Sequence, residues 1–211
     1  MNLANRLTIF RIILVPIMVI ISFLGIQGEV FGIPVSYLIM DLIFIIASIT
    51  DKLDGYIARS RNQVTTFGKF LDPLADKILV LTAMVMFVEM DKIPAWIPVI
   101  VLAREFLVSG YRLIAAEKGG KVVAASIWGK LKTVTQMIAI ICCFLDKFKF
   151  GQFIFRVSTE AEMFTNSAGI YMTTGQFIIN ILSTIMLIIA VIATIFSGVD
   201  YLKKGKNLFK D

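Results

Sequence analysis

The sequence contains no histidine, so it lacks the side chain that most often acts as a general base near neutral pH and most often binds transition metals. Any proton transfer must therefore use carboxylates, lysine, tyrosine or water. Cysteine is almost absent as well. Cys142 and Cys143 are adjacent in an apolar run, which excludes both a disulfide framework and a CxxC metal site.

Charged residues are scarce. They make up 17% of the 211 residues, against about a quarter in ordinary soluble domains, and 58% of the chain is hydrophobic. The composition therefore predicts a polytopic membrane protein. The net charge of +6 does not indicate a nucleic-acid partner, because the basic residues are scattered between apolar runs and form no soluble basic face.

Six stretches come close to the roughly 20 apolar residues that a spanning helix needs. They are, roughly, Leu7–Ile26, Pro34–Arg59, Gly68–Met90, Pro94–Glu117, Ile127–Leu145 and Gln176–Leu202. We therefore predict an all-α integral membrane protein with six transmembrane helices in one domain, residues 1–211. Most of the 21 basic residues then lie toward one side, and the positive-inside rule makes that side, with both termini, cytoplasmic. The connection Asp146–Gly175 is expected to be a loop with a short interfacial helix.

Four carboxylates occur in two pairs at the cytoplasmic ends of the second and third spans. Asp51 pairs with Asp54, and Asp72 pairs with Asp76. Residues three or four apart share a helix face, and the two helices are antiparallel neighbours, so we expect one acidic cluster. Such a cluster suits Mg²⁺, Mn²⁺ or Ca²⁺, and paired divalent ions are a recurring device for displacement at phosphorus.

Three further residues agree with a phosphate-bearing ligand at this cluster. Gly55 and Gly68 would let a bulky ligand approach the backbone, and the guanidinium of Arg59 suits a diphosphate. The alternative is that the aspartates form packing ion pairs with Lys52, Lys69, Lys77 or Arg59. Ionisable residues within membrane helices are costly and are functional by default, which favours a site.

The pattern resembles a known family. The spacing is Asp51, x2, Asp54, Gly55, x2, Ala58, Arg59, x8, Gly68, x3, Asp72, x3, Asp76, and it resembles the signature of the CDP-alcohol phosphatidyltransferases. The resemblance implies transfer of a phosphatidyl group from CDP-diacylglycerol to an alcohol, with release of CMP, at the cytoplasmic face of a bacterial plasma membrane. It also implies a homodimer.

The resemblance assigns roles by position. Asp51, Asp54, Asp72 and Asp76 would bind two divalent ions, Mg²⁺ or Mn²⁺, and Asp76 would also act as general base. Gly55, Ala58, Arg59 and Gly68 would line the cytidine diphosphate site.

The acceptor must be identified from residues outside this signature. Arg104 and Arg112 lie about two turns apart on the fourth span, and Lys130 and Lys132 begin the fifth. If these cations converge with Thr8 and Arg11 of the first span, the pocket fits an acceptor that carries its own phosphate. The alternatives are ordinary loop charge for the lysines and an ion pair with Glu105 for Arg104.

The residues around these cations resemble the family members that use sn-glycerol 3-phosphate. The matching segments are Asn5, Thr8 and Arg11, then Ala103–Phe106 with Gly110 and Arg112, then Gly129, Lys130, Lys132 and Thr133. The resemblance therefore implies phosphatidylglycerophosphate as the product. Phosphatidylglycerol and inositol phosphate are alternative acceptors within the family, and a divalent-cation transporter or a structural membrane scaffold is an alternative outside it.

Overall fold

The computed structural model describes the backbone of residues 3–60, 66–117, 127–154, 163–165 and 171–205. Within these ranges, the side chains of residues 52–60, 66, 67, 69 and 70, and of several residues at segment ends, are outside the description. The described residues form six α-helices: α1 (Leu3–Phe23), α2 (Val35–Ser60), α3 (Thr66–Glu89), α4 (Trp96–Glu117), α5 (Ile127–Leu145) and α6 (Thr174–Gly205). Their bounds agree with the six predicted stretches to within a few residues at most ends.

Three of these helices are long and apolar enough to cross a membrane by length and composition alone. They are the segments Asn5–Phe23, Ile127–Leu145 and Thr174–Lys203. The helices α2, α3 and α4 contain 26, 24 and 22 residues. At about 1.5 Å per residue each is longer than a hydrocarbon core of about 30 Å, but each also carries charged residues of the predicted site.

The helices pack around an aromatic and aliphatic core contributed mainly by α1, α2, α3 and α5. The rings of Phe87 and Phe144 meet edge to face with centroids 4.6 Å apart, and Phe44 lies 6.2 Å from Phe144. Each of these three rings is fully buried. Many large apolar side chains on the outer helix faces are exposed instead, among them Ile13, Ile20, Val85, Val99 and Phe106. This distribution suits a protein surrounded by lipid.

Two small hairpins differ from the all-α prediction. Strands β1 (Glu29–Val30) and β2 (Ile33–Pro34) pair antiparallel between α1 and α2. Gly32 in their turn has a φ of 75°, a backbone conformation that favours glycine, and a Cβ there would also displace the end of the Gln176 side chain, whose Nε2 lies 2.5 Å from that position.

The second hairpin lies in the connection that was predicted to be a loop with an interfacial helix. A short 3₁₀ helix, η1 (Gln152–Ile154), is present, and strands β3 (Met163–Thr165) and β4 (Tyr171–Thr173) then pair antiparallel. The mixed aromatic and polar sequence shows no period-2 alternation, which is why residue pattern did not indicate strands.

A buried polar cluster closes the end of the bundle where α3 and α5 finish and α6 begins; we call it the closed end. The Lys92 ammonium donates to the carbonyls of Cys143 (2.7 Å) and Asp146, and it lies 3.8 Å from the Tyr37 ring centroid. Burial lowers the pKa of Lys92 to about 8.

The carboxylate of Asp146 completes the closed end. It accepts hydrogen bonds from the Phe148 backbone N–H (2.9 Å), from Asn180 Nδ2 (2.8 Å) and from the Ser183 hydroxyl. Burial raises the pKa of Asp146, while these three donors oppose the increase. The cavity among these groups is about 10 Å³, which is too small for anything larger than a water molecule.

Candidate active site

Three of the four predicted metal-binding carboxylates have described side chains, and all lie at the opposite end of the bundle from the closed end. Asp51 is on α2, and Asp72 and Asp76 are in the first half of α3. Asp76 is close enough to Asp51 for the two charges to interact. The antiparallel pairing predicted from the sequence is therefore present for these residues. The side chain of Asp54 lies outside the described residues.

Helix α1 supplies partners to these carboxylates. The Thr8 hydroxyl donates to Asp72 Oδ1 at 2.6 Å, and Arg11 Nη1 lies 2.7 Å from Asp51 Oδ1. Arg11 is fully buried, and its Nε donates to the Ala47 carbonyl at 3.2 Å. Because α1 packs against both α2 and α3, its polar residues orient the carboxylates.

Thr8 and Arg11 were predicted to join the acceptor pocket, and in the structure their contacts are with the carboxylates. Among the described residues, the cavity beside Asp76 is lined by helices α3 to α6, whereas Thr8 and Arg11 lie on α1. Thr8 and Arg11 are absent from the described residues that line the cavity.

The donor chemistry of the carboxylates fits a hard divalent cation. Carboxylate oxygens are the ligands that Mg²⁺ and Mn²⁺ prefer, and Asp51, Asp72 and Asp76 come from two adjacent helices at one end of the bundle. Among the residues with described side chains, no three are gathered tightly enough to form a metal centre. Asp54, the fourth member of the predicted set, is not among those residues.

A cavity of about 750 Å³ opens beside Asp76. Helices α3, α4, α5 and α6 all contribute to its wall. The charged and polar lining residues are Asp76, Lys77, Arg104, Glu105, Ser109, Arg112, Lys132, Thr133, Gln136 and Tyr201. Three of the predicted acceptor-binding residues, Arg104, Arg112 and Lys132, therefore share one cavity with the predicted general base.

Glu105 forms ion pairs with three cations of this cavity. Its Oε1 accepts hydrogen bonds from Lys132 Nζ at 2.5 Å and from Arg104 Nη1 at 3.0 Å. Its Oε2 lies 3.9 Å from Lys77 Nζ, and Lys77 also donates to the Ser109 hydroxyl. The ion pair between Arg104 and Glu105, which was the alternative interpretation of Arg104, is thus present. It lies inside the cavity, where the cations still outnumber the carboxylates.

The two arginines are held from the other side by α6. Arg104 Nη2 donates to the Ser197 hydroxyl at 2.6 Å, and Arg112 Nη2 donates to the Tyr201 hydroxyl at 2.9 Å. The guanidinium carbons of Arg104 and Arg112 lie 5.8 Å and 5.7 Å from the centroid of the Tyr201 ring.

Two more predicted site residues, Lys130 and Gly68, are described and do not line the cavity. Lys130 is exposed at the start of α5 and is not among the described lining residues, which suits its alternative reading as surface charge. Gly68 is buried in α3. The predicted nucleotide-site positions Gly55, Ala58 and Arg59 lie among the residues whose side chains are outside the description.

The sequence pattern did not indicate a site role for Lys77 and Tyr201, which line the cavity, or for Ser197, which contacts Arg104 from α6. Lys77 directly follows Asp76, so its position could have indicated a role. Tyr201 and Ser197 stand in the long apolar run of α6, and nothing in their local pattern separates them from packing residues.

A model of the CDP-alcohol phosphatidyltransferase family matches residues 1–197. The chain belongs to the CDP-alcohol phosphatidyltransferase family. The family match includes the three described carboxylates and all the lining residues except Tyr201, which lies beyond residue 197.

Several bacterial proteins named CDP-diacylglycerol–glycerol-3-phosphate 3-phosphatidyltransferase are similar to the chain. The protein of Bacillus subtilis (strain 168) is 47% identical over 156 residues, covering 71% of this chain and 79% of its own. That of Haemophilus influenzae is 37% identical over 214 residues, covering 100% and 96%. That of Escherichia coli (strain K12) is 40% identical over 143 residues, covering 66% and 74%.

Proposed function

We propose that this CDP-alcohol phosphatidyltransferase transfers the phosphatidyl group of CDP-diacylglycerol to sn-glycerol 3-phosphate, giving phosphatidylglycerophosphate and CMP. The observation that carries the proposal is the shared cavity, in which Asp76 lies with Arg104, Arg112 and Lys132. Those cations suit a phosphate-bearing acceptor, whereas a neutral or cationic alcohol would not require them. The names of the bacterial relatives agree with this acceptor.

In this mechanism the cations bind the acceptor phosphate and leave an acceptor hydroxyl facing Asp76. Asp76 takes the proton of that hydroxyl, whose oxygen forms a bond to the lipid-side phosphorus of CDP-diacylglycerol. The bond from that phosphorus to the diphosphate bridging oxygen breaks, and CMP leaves. Thr8 and Arg11 keep Asp72 and Asp51 in place during the reaction.

Two divalent ions, Mg²⁺ or Mn²⁺, would be held by Asp51, Asp54, Asp72 and Asp76 and would supply charge neutralisation at the diphosphate. Gly55, Ala58, Arg59 and Gly68 would contact the cytidine diphosphate. We further propose six spans in a bacterial plasma membrane, with both termini and the active site facing the cytoplasm, and a homodimeric assembly.

The acceptor assay tests the proposed function directly. Purified protein in detergent is given CDP-diacylglycerol, Mg²⁺ and one of three acceptors: glycerol 3-phosphate, phosphatidylglycerol or inositol phosphate. We expect CMP release and a new phospholipid with glycerol 3-phosphate. Product with another acceptor alone would contradict the assignment of substrate but retain the reaction class.

Metal removal tests the cofactor. Treatment with a chelator should abolish CMP release, and added Mg²⁺ or Mn²⁺ should restore it. Activity that survives exhaustive chelation would contradict the proposed metal requirement. Metal flux into proteoliposomes without CMP release would instead support a transporter.

A further inference from the structure

Tyr201 contacts both arginines that line the acceptor cavity, although it lies on a different helix. Its ring is nearly equidistant from the two guanidinium carbons, at 5.8 Å from that of Arg104 and 5.7 Å from that of Arg112. Its hydroxyl accepts the hydrogen bond from Arg112 Nη2 at 2.9 Å. A single aromatic side chain therefore lies against two cations that are eight residues apart on α4.

Ser197 and Gly198, one turn before Tyr201 on α6, also lie against Arg104. The Ser197 hydroxyl accepts from Arg104 Nη2 at 2.6 Å, and a Cβ at Gly198 would lie 3.6 Å from Arg104 Cγ. Ser197 and Tyr201 are four residues apart and so share one helix face. Each supplies a hydroxyl to one arginine.

The Tyr201 ring is held firmly enough to serve as a fixed support. It is 1% exposed, and it packs edge to face against Tyr111 with centroids 6.1 Å apart. Arg112, by contrast, is an exposed residue. A long exposed side chain samples many rotamers, and holding it in place beforehand lowers the entropy cost of binding a ligand.

We infer that Tyr201 is a positioning residue of the acceptor site, which holds Arg112 and Arg104 for the phosphate of the second substrate. The inference rests on the proposed function for the identity of that substrate. The role extends the site into the last turns of α6, beyond the part of the chain that the family model matches. A residue that acts in this way should affect acceptor binding and leave the chemical step unchanged.

The nearby Tyr111 provides a matched control. It is similarly buried, at 4% exposed, and belongs to the same small apolar cluster. Its hydroxyl has no hydrogen-bond partner among the described residues, and Tyr111 does not line the cavity. Tyr111→Phe therefore removes an equivalent atom without touching either arginine.

The test compares Tyr201→Phe with Tyr111→Phe in steady-state kinetics. Loss of a hydrogen bond to a charged group should raise the KM for glycerol 3-phosphate about ten-fold in Tyr201→Phe, with kcat and the KM for CDP-diacylglycerol unchanged. Tyr111→Phe should behave like the wild-type protein. An unchanged KM in Tyr201→Phe, or an equal rise in both variants, would overturn the inference.

A binding measurement separates this inference from the proposed function. Glycerol 3-phosphate and inorganic phosphate are each titrated against wild type and both variants, with thermal unfolding in detergent as the readout. If the wild-type protein makes no product from glycerol 3-phosphate, the proposed function fails, but weaker protection by phosphate in Tyr201→Phe alone would still support the positioning role. Equal protection of all three proteins would refute it.

Ser197→Ala keeps the test decisive if Tyr201→Phe does not fold. It removes the hydroxyl that holds Arg104 and leaves the Tyr201 ring in place. We expect a rise in the KM for glycerol 3-phosphate without a change in kcat. A fall in kcat with unchanged KM would contradict a positioning role for this face of α6.

Discussion

The two ends of the helix bundle both bury charge, but they do so differently. At the closed end, Asp146 has three hydrogen-bond donors and the Lys92 ammonium has two carbonyl acceptors, around about 10 Å³ of space. At the other end, Asp76, Glu105 and four cations surround about 750 Å³. One set of charges is internally satisfied, and the other is available to a ligand.

This difference separates a structural role from a functional one. A buried ion is tolerated when its hydrogen bonds are completed by the protein, and such a cluster ties elements together. The closed end joins the turn after α3, the end of α5 and the start of α6 in this way. The cavity is lined by four cations and only two carboxylates, Asp76 and Glu105, so its net positive charge favours an incoming anion.

The largest expected effect concerns the two carboxylates Asp76 and Asp41. Asp76→Asn should lower kcat by about 10²- to 10⁴-fold, because the proposed base and metal ligand is lost. Asp41 is also a buried helical aspartate, 5% exposed, but it does not line the cavity. Asp41→Asn should keep most activity in the CMP-release assay. Similar losses in both variants would remove the proposed distinction between cavity and core carboxylates.

The next largest effect is on the KM for glycerol 3-phosphate, and it should differ between Lys132 and Lys130. Lys132→Met should raise the KM for glycerol 3-phosphate about 10- to 100-fold, since a charge-assisted contact to the acceptor phosphate is lost. Lys130→Met should change that KM little, because Lys130 is exposed and not among the described lining residues. Equal effects on KM would favour the sequence-based assignment of both lysines to the acceptor.

A smaller effect is expected on stability at the closed end. Asp146→Asn should reduce the free energy of unfolding by about 2–3 kcal/mol, because an amide cannot accept all three hydrogen bonds. The matched control is Asp91→Asn, which alters an exposed ion pair with Lys149 and should cost less than about 1 kcal/mol. Unfolding in detergent, followed by circular dichroism, would measure both. Comparable losses would mean that the closed end is not a specific structural cluster.

The most gradual effect is the pH dependence of stability contributed by Lys92, which is spread over about two pH units. Its folded-state pKa of about 8 lies below the ordinary value of 10.5. Between these values the unfolded chain keeps the proton that the folded protein has released, so the contribution of this lysine to stability rises with pH. The slope is at most about 1.4 kcal/mol per pH unit.

The variant Lys92→Met isolates that contribution. Groups shared by wild type and variant cancel when the two unfolding free energies are subtracted. We expect the free energy of unfolding of the wild-type protein to increase relative to that of Lys92→Met between pH 8 and pH 10. A difference that stays constant over this range, or falls, would contradict a buried ammonium with a lowered pKa.

Much of the candidate site was predictable from the sequence, and the features that were not predictable have a common cause. Aspartates at helical spacing on adjacent helices predicted the carboxylate cluster, and the predicted cations Arg104, Arg112 and Lys132 do line one cavity. For Thr8 and Arg11, residue type indicates a polar role but not which neighbour each side chain contacts. Because α1 packs against α2 and α3, Thr8 contacts Asp72 and Arg11 contacts Asp51.

Tyr201 shows why the rest could not be predicted. In sequence it is one aromatic residue near the end of an apolar helix, and its contacts lie 89 or more residues away on α4. The hairpin β3–β4 was missed for a related reason, since its pairing is between segments without alternation. Local pattern carries no information about such distant partners.

The sequence by itself determined the class of the molecule: apolar runs of spanning length, an acidic pattern at fixed spacing, and no histidine to act as base. These properties depend on composition and helical period, which are local. The tertiary structure alone decided which charges are satisfied and which surround open space. Helix packing brings α4 and α6 together, so that Tyr201 holds the arginines at one end while Asp146 closes the other.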